Sequence, residues 1–221
     1  MKREFLFLSG LLMVCLKLNA EIIKVDIKED TFISKSKPEF SLRNVKFGGI
    51  RSWWSYYLFK ISTEELKKKL KGRKIKDAYF NFYISYTEVL PRGFSPSETK
   101  TEILFYPLLT EWKEDATWLY PSLGNKEIKW NGLKRGKDYP EKPIVIYKIE
   151  NKDEKEIKGK NKIGGFGEIL KLWINGKLKN NGILVMIKQI EKNTPYLIQI
   201  NIHTTKETNK ERIPFMEVEV E

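Results

Sequence analysis

Side chains suited to covalent catalysis are scarce in this sequence. His203 is the only histidine and Cys15 the only cysteine. There is no Gly-x-Ser-x-Gly motif to present a serine nucleophile and no cluster of residues with metal-ligand spacing. Glu111 and Glu114 are close enough in sequence to act as general acid and base. Tryptophan and threonine surround them, however, which favours a structural role, so we expect no enzymatic activity.

Three acidic residues near the end of the first predicted strand are candidates for a metal site. Asp26, Glu29 and Asp30 carry carboxylates of the kind that coordinate calcium. Acids grouped at the end of a strand more often form a solvated edge. We therefore expect no cofactor and no metal, with calcium kept as an alternative.

The densest aromatic segment runs from Leu108 to Trp118 and continues through Tyr120-Pro121 to Trp130. Its spacing fits neither a helix nor a simple alternating strand. Each indole combines a large apolar body with one N–H that needs a partner when buried, so such a cluster typically fixes an irregular loop on a core. We predict a fixed corner between strands here.

The first twenty residues have the layout of a secretory signal peptide. A basic start at residues 1–3 precedes an apolar run from Phe5 to Leu18, and Asn19-Ala20 would follow as the cleavage site. The apolar run is short for a membrane span. A retained N-terminal anchor is one alternative, and a lipoprotein anchor at Cys15 is another, although Val14 is bulkier than the residue normally found there. We expect a secreted protein, extracellular or at the cell surface.

The mature chain would contain no cysteine, so its stability would have to come from packing. Loss of residues 1–20 removes three basic groups and one acidic group and lowers the formal net charge from +12 to about +10. Outside the cell, acidic polysaccharides and anionic surfaces compete for such a basic protein. With an export signal and no recognised binding motif, no nucleic-acid partner is expected.

Alternating apolar and polar residues predict a series of short strands. They are Glu21 to Thr31, Trp53 to Ile61, Ile75 to Tyr86, Thr101 to Leu108, Pro143 to Glu150, Ile183 to Ile187, Tyr196 to Ile202 and Phe215 to Val220. A capping box at residues 62–65 predicts a short helix that ends near Gly72, and Glu168 to Ile174 predicts a second. Gly48-Gly49 predicts a turn, and the charged residues 151–162 predict a mobile hairpin tip or a long loop. The pattern indicates one all-β domain, residues 21–221, folded as an antiparallel β-sandwich.

Four motifs follow one another along the mature chain. They are Asp30-Thr31-Phe32-Ile33; Tyr57-Leu58-Phe59-Lys60-Ile61, with Ile75, Ala78 and Phe80 after it; Trp112-Lys113-Glu114 with Ala116-Thr117-Trp118; and Leu170 to Gly182 with Trp173, Gly176 and Asn181-Gly182. Together they resemble the DNRLRE domain, or disaggregatase-related repeat, a family of carbohydrate-binding modules. The likeness covers nearly all of the mature chain, and the tryptophan corner is its most specific part.

The sequence departs from the family pattern at three places. Lys60 stands where the family usually has an acidic residue, and residues 165–167 replace an Asp-Val-Thr before the second helix. The closing Arg-Pro-x-Leu is shifted to residues 212–216.

The resemblance implies a secreted, non-catalytic, jelly-roll-like module that binds polysaccharide, often an acidic one. Such modules stack aromatic rings on sugar C–H groups and bind uronate carboxylates with basic side chains. The candidate ligand-binding residues are Trp54, Tyr56, Tyr79, Tyr83 and Lys60, and the further candidate anion contacts are Arg51, Arg92 and Lys100. The alternative is that a second layer, or the first helix, covers these aromatic rings.

The corner motif is expected to be structural. Trp112, Thr117 and Trp118 would hold the corner, and Glu114 would accept hydrogen bonds from backbone amides in that loop. A different class of function stays open: a structural subunit of an extracellular or cell-surface assembly, with self-association through exchanged terminal strands. An open aromatic face flanked by lysines would favour sugar binding, whereas an unpaired terminal strand would favour assembly.

Overall fold

The computed structural model describes residues 21–52, 54–90, 101–149, 157–189 and 197–221. The predicted signal peptide with Cys15, Trp53, and the candidates Arg92 and Lys100 lie outside these ranges. Neither helix in the described ranges is long and apolar enough to cross a membrane.

The described residues form ten strands, two short helices and one 3-10 turn. They are β1 (Glu21–Ser34), β2 (Phe47–Arg51), β3 (Ser55–Ile61), α1 (Thr63–Leu70), β4 (Ile75–Leu90), β5 (Thr101–Pro107), β6 (Val145–Lys148), β7 (Gly159–Ile163), α2 (Gly167–Ile174), β8 (Ile183–Gln189), β9 (Leu197–His203), the 3-10 turn (Lys210–Arg212) and β10 (Phe215–Val220). All pairings between these strands are antiparallel, which confirms the predicted all-β class.

The first helix forms where the capping box predicts it. Ser62 Oγ accepts a hydrogen bond from the backbone N–H of Glu65 (3.2 Å), and Leu66 and Leu70 are buried. The helix ends at Lys71, whose φ of 51° lies in the left-handed region. This short amphipathic helix therefore follows β3 with its apolar side against the core.

Six strands close into a ring. Their order is β1, β10, β4, β9, β2 and β3, and β3 pairs back to β1. β8, β5 and β6 extend the sheet outward from β3, and β7 pairs with β4. β1 changes its pairing partner along its length: residues 21–26 pair with β10, and residues 27–34 pair with β3.

β9 and β10 lie end to end along one edge of β4. β10 pairs with residues 75–81 of β4, and β9 pairs with residues 84–90. Phe80 pairs with both β10 and β7, and Ile84 pairs with both β9 and β7. Because one residue cannot pair with two strands on the same edge, β7 occupies the opposite edge. Residues 204–214, which we call the β9–β10 loop, therefore interrupt what would otherwise be one long strand.

A buried carboxylate fixes the β9–β10 loop. Asp30 is 0% exposed and follows the irregularity in β1 at Ile27/Glu29. Its Oδ2 accepts hydrogen bonds from the hydroxyl of Tyr57 (2.7 Å) and the backbone N–H of Thr205 (2.8 Å). Its Oδ1 accepts one from Thr205 Oγ1 (2.6 Å). Burial raises the pKa of Asp30, although these hydrogen bonds act in the opposite direction.

A second contact orders the same loop. His203 is buried, and its Nδ1 lies 2.5 Å from Glu207 Oε2. The backbone N–H of Asn209 donates to Glu207 Oε1 (3.0 Å). This backbone hydrogen bond and the contact with His203 lower the pKa of Glu207 to about 2. The carboxylate is therefore ionised at neutral pH, so Nδ1 of His203 is the hydrogen-bond donor.

Both faces of β3 are buried, which explains why both carry aromatic residues. On the inner face Phe59 stacks on Phe80, with ring centroids 4.4 Å apart. On the outer face a second hydrophobic cluster packs beneath residues 108–139, which we call the corner segment. Trp112 and Trp130 are its largest buried side chains, at 1% and 2% exposed.

The turn predicted at Gly48-Gly49 is wrong, because both glycines lie within β2. A Cβ on Gly48 would come within 2.5 Å of the Phe32 ring, and one on Gly49 within 2.6 Å of the Gln199 side chain. The glycines thus permit two large side chains to lie against this strand.

The loop predicted over residues 151–162 is also partly wrong. Gly159–Ile163 forms β7, with Asn161 and Ile163 buried and Lys160 and Lys162 exposed. The lysines on the exposed face of β7 obscured the alternation of buried and exposed residues in the sequence. Residues 150–156 lie outside the described residues.

We expect Asp30→Ala to lower the free energy of unfolding by about 3 kcal/mol, because it leaves the buried hydroxyl of Tyr57 and the part-buried amide of Thr205 without their acceptor. Denaturant unfolding measures the effect. Asp26→Ala on the same strand is the matched control, since Asp26 is 71% exposed and should change stability by less than about 0.5 kcal/mol. Equal effects of the two substitutions would show that the buried carboxylate contributes nothing particular.

Glu207 should contribute to acid sensitivity. Because its folded pKa of about 2 lies below the ordinary 4.5, the stability it contributes is present above pH ~4.5 and is lost as the pH falls towards 2. Glu207→Gln should therefore make the fall in unfolding free energy between pH 5 and pH 2 shallower. The exposed Glu211→Gln serves as control and should keep the wild-type slope. A Glu207→Gln slope identical to wild type would contradict the assignment.

Candidate ligand-binding cleft beside Trp54

Exposed aromatic side chains gather around one cleft of about 370 Å³. Trp54 and Phe47 line it and are 46% and 56% exposed. Phe40, which is 68% exposed, lies on the 35–46 loop that forms one wall. These are the three exposed tryptophan and phenylalanine side chains of the described residues. The volume is near the lower end of the ~300–1,000 Å³ typical of ligand sites.

The register of β2 and β9 builds the polar wall of the cleft. Arg51 pairs with Gln199 across the two strands, and its Nε donates a hydrogen bond to Gln199 Oε1. Gln199 Nε2 in turn donates to Asn201 Oδ1 (2.7 Å). The guanidinium and the amide are therefore held in place beside the open rings.

The surroundings of the cleft are strongly positive. Residues 35–51 contain five basic side chains and one acidic side chain, Glu39. The basic residues are Lys35, Lys37, Arg43, Lys46 and Arg51. None of the five forms a salt bridge with another described residue. Such a field attracts an anionic ligand.

The polar side chains that line the cleft are hydroxyls, cations and one amide. The described residues that line it include serines, Lys37, Arg51 and Gln199, but no carboxylate and no histidine. A nucleophile with an adjacent base is therefore missing from the described lining. Open aromatic faces beside cations and an amide suit a ligand with apolar faces, hydroxyl groups and negative charge.

Of the predicted aromatic residues, only Trp54 opens into this cleft. Tyr56 is 8% exposed and packs against Trp118, with ring centroids 5.2 Å apart. Burial raises the pKa of Tyr56 to about 12. The corner segment therefore covers Tyr56, as the second-layer alternative anticipated.

Tyr79 and Tyr83 lie on β4, which β9 and β2 separate from β3 in the ring. Tyr79 donates a hydrogen bond to Glu219 (3.1 Å), and Lys162 Nζ lies 4.4 Å from its ring centroid. Arg212 lies 5.0 Å from the Tyr83 ring centroid. Both tyrosine rings thus have a cation of the protein over one face, and so does Trp54, whose ring centroid lies 5.5 Å from Lys35 Nζ.

Tyr83 connects to the cleft only through other rings. Its centroid is 5.3 Å from that of His203, which is 5.9 Å from that of Phe47. The three rings form a row across β4, β9 and β2. The structure therefore does not bring the two predicted tyrosines together with Trp54.

Lys60 contacts the corner rather than the cleft. Its side chain is 14% exposed, and Nζ lies 4.4 Å from the Trp112 ring centroid. Nζ donates to the backbone oxygen of Trp112 (2.5 Å) and is 3.5 Å from Glu29. Burial lowers the pKa of Lys60, partly offset by Glu29.

The buried indole N–H groups of the corner segment donate hydrogen bonds to backbone oxygens. Trp112 Nε1 donates to the oxygen of Asn181 (2.7 Å), and Trp130 Nε1 donates to the oxygen of Thr117 (2.8 Å). Thr117 Oγ1 accepts from the N–H of Tyr120 (3.1 Å). Trp118 is half-buried, and its backbone oxygen accepts from the N–H of Gly132.

The expectation that Glu114 binds backbone amides is not what the structure shows. Glu114 Oε1 accepts a hydrogen bond from Lys206 Nζ (2.7 Å), which joins the corner segment to the β9–β10 loop. The partner lies 92 residues away, so local sequence could not indicate it.

The acids considered for calcium point in different directions. Asp26 is exposed near Lys24 (3.9 Å), Glu29 faces Lys60, and Asp30 binds Tyr57 and Thr205. Across the described ranges, no group of three or more His, Cys, Asp or Glu side chains is arranged to hold a metal ion.

Sequence reasoning named Trp54 and Arg51 but missed Phe47 and Gln199. Phe47 precedes the glycine pair that was read as a turn. Gln199 lies 148 residues from Arg51, so only strand pairing reveals their contact.

No protein-family model matches this chain, and no curated protein matches it significantly. The resemblance to the DNRLRE domain therefore depends on its motifs alone.

Gly48→Ala should lower the free energy of unfolding by about 2 kcal/mol, because the new Cβ would displace the buried Phe32 ring beneath the cleft. Thermal or denaturant unfolding measures this. Gly124→Ala is the matched control, since its nearest neighbour would be an ordinary 3.5 Å away. A Gly48→Ala protein as stable as the control would show that Phe32 is free to move.

Proposed function

We propose that this chain is a secreted, non-catalytic module that binds an anionic polysaccharide in the cleft beside Trp54. The observation that carries the proposal is the combination of two exposed rings, Trp54 and Phe47, with Lys37, Arg51 and no acid in the described lining, and with three further basic side chains on residues 35–46. A neutral sugar would need the rings alone, whereas the cations add a preference for negative charge.

The chemistry of the cleft matches a uronate-containing polymer. Trp54 and Phe47 offer apolar faces to the C–H groups of a sugar ring. Arg51 and Lys37 are placed for carboxylates, and Gln199 for hydroxyl groups. Because Gln199 already holds the Arg51 side chain, less side-chain entropy is lost when the ligand binds.

The contacts among the four motifs support the likeness to DNRLRE modules. Asp30 of the first motif binds Tyr57 of the second, and Lys60 of the second binds Trp112 of the third. Trp112 in turn donates to Asn181 of the fourth motif. Residues that carry the resemblance thus form one connected set.

For the fold we propose a jelly-roll-like sandwich. One layer would contain β7, β4, β9 with β10, and β2, and the other β3, β8, β5 and β6. β1 pairs with β10 in its first half and with β3 in its second. A strand that changes partners in this way would join the two layers.

The structural-subunit alternative has less support. It required an unpaired terminal strand for exchange. β10 pairs with β1 on one side and β4 on the other, and β1 pairs with β10 and β3. Both terminal strands of the described chain are therefore already engaged.

The test is retention on immobilised polysaccharides, neutral and uronic, at low and high salt. Trp54→Ala should weaken binding roughly tenfold through loss of stacking, and Arg51→Ala should weaken it mainly at low salt. Tyr79→Ala is the matched aromatic control, because Tyr79 lies on β4 outside the lining of the cleft and should leave binding unchanged.

Two outcomes would contradict the proposal. Loss of binding in Tyr79→Ala but not in Trp54→Ala would move the site to the outer face of β4. No retention on any polymer, with large particles in light scattering, would favour the structural subunit.

A further inference from the structure

A second concentration of positive charge lies on α1 and the turn after it. Residues 67–74 read Lys-Lys-Lys-Leu-Lys-Gly-Arg-Lys, which places six basic residues in eight positions. The segment lies outside the cleft.

Two of the six basic side chains serve the fold. Lys69 pairs with Glu65 (2.6 Å) and donates to the oxygen of Lys24 (2.8 Å). Arg73 pairs with Glu21 and donates to the oxygens of Leu70 (3.0 Å) and Lys69 (2.9 Å). Arg73 therefore satisfies carbonyl groups at the carboxyl end of the helix, where a cation is favourable.

The other four are exposed and have no ion pair or side-chain hydrogen bond with any described residue. We call Lys67, Lys68, Lys71 and Lys74 the α1 lysines. Lys67 and Lys68 lie in the last turn of α1, and Lys71 follows the helix as its cap in a left-handed conformation. Four like charges therefore lie within eight residues with no described acid paired to them, and an anion bound beside them would relieve their mutual repulsion.

A groove adjoins the α1 lysines. It has a volume of about 390 Å³ and lies between the ends of α1 and α2, with Leu70, Ile75 and Ile174 among its apolar lining residues. Arg73, Lys74 and Lys171 line it as well, against one acid, Glu221. The groove gives an extended anionic chain a concave path beside the lysines.

The shape of this surface favours a polymer over a membrane. The apolar residues of α1, Leu66 and Leu70, are both buried, so the helix has no open apolar face to insert into a bilayer. The lining also contains no aromatic ring for stacking on a sugar. Recognition here would depend on charge density rather than on sugar identity.

The surface is separate from the cleft. Trp54 immediately precedes β3 and α1 follows it, and a seven-residue strand spans roughly 20 Å. We propose that the α1 lysines form a second binding surface for a linear acidic polysaccharide. The polymer class rests on the function proposed above, whereas the surface itself does not. Two sites on one rigid strand would let a single protein hold a polymer at two points.

The test is retention of the purified protein on immobilised polygalacturonate, alginate and dextran sulfate over a series of salt concentrations. The α1 variant combines Lys67→Ala, Lys68→Ala, Lys71→Ala and Lys74→Ala. The control variant combines Lys126→Ala, Lys129→Ala, Lys134→Ala and Lys137→Ala, which removes the same charge from exposed positions of the corner segment.

The α1 variant should bind at least tenfold more weakly at low salt. The slope of its plot of log affinity against log salt should be shallower by about 3, because each of the four lost contacts contributes roughly 0.7 to that slope. The control variant should change affinity by less than twofold. Circular dichroism of each variant verifies that the fold is retained.

Equal loss in the α1 and control variants would overturn the proposal, because net charge alone would then explain binding. Unchanged binding in the α1 variant, with loss in Trp54→Ala, would also overturn it while leaving the cleft in place. Loss in the α1 variant with no effect of Trp54→Ala would support this surface and remove the cleft. No retention of the unaltered protein would overturn both.

Discussion

The fold depends on one buried carboxylate. Asp30 stands where β1 leaves β10 for β3, and it binds one residue of β3 and one of the β9–β10 loop. Through that loop the same anchor places Glu207 beside His203 and Lys206 beside Glu114. A charge buried at such cost persists only when several donors surround it, so the closure of the ring and the position of the corner are linked.

The corner segment decides which part of the outer surface stays open. It covers the outer face of β3, where Tyr56 packs beneath Trp118, but Trp54, only two residues earlier, is left exposed. The candidate cleft therefore lies at the margin of a covered face. A ligand site at such a margin can combine a rigid floor with rings that the core does not need.

Local sequence patterns predicted an element correctly where residues close in sequence determine its structure. The cap at Ser62 and the strand Phe215–Val220 follow from capping chemistry and alternation. Such patterns gave a wrong prediction at Gly48-Gly49. There the glycine is required because a side chain distant in sequence packs against it, not because the chain turns. Lys60 looked like a free cation because its partner, Trp112, lies 52 residues away. The cleft likewise needs the pairing of β2 with β9, which no short window contains.

The hydrogen bonds of Asp30 also determine the order in which parts of the protein can fold. Asp30 and Thr205 are 175 residues apart, and β1 finds its partner β10 near the far end of the described chain. A ribosome delivers β1 early and β10 late. During synthesis residues 21–26 must therefore wait, without their partner strand, until residues 215–220 have emerged. The growing chain needs protection from association until residues 215–220 are available.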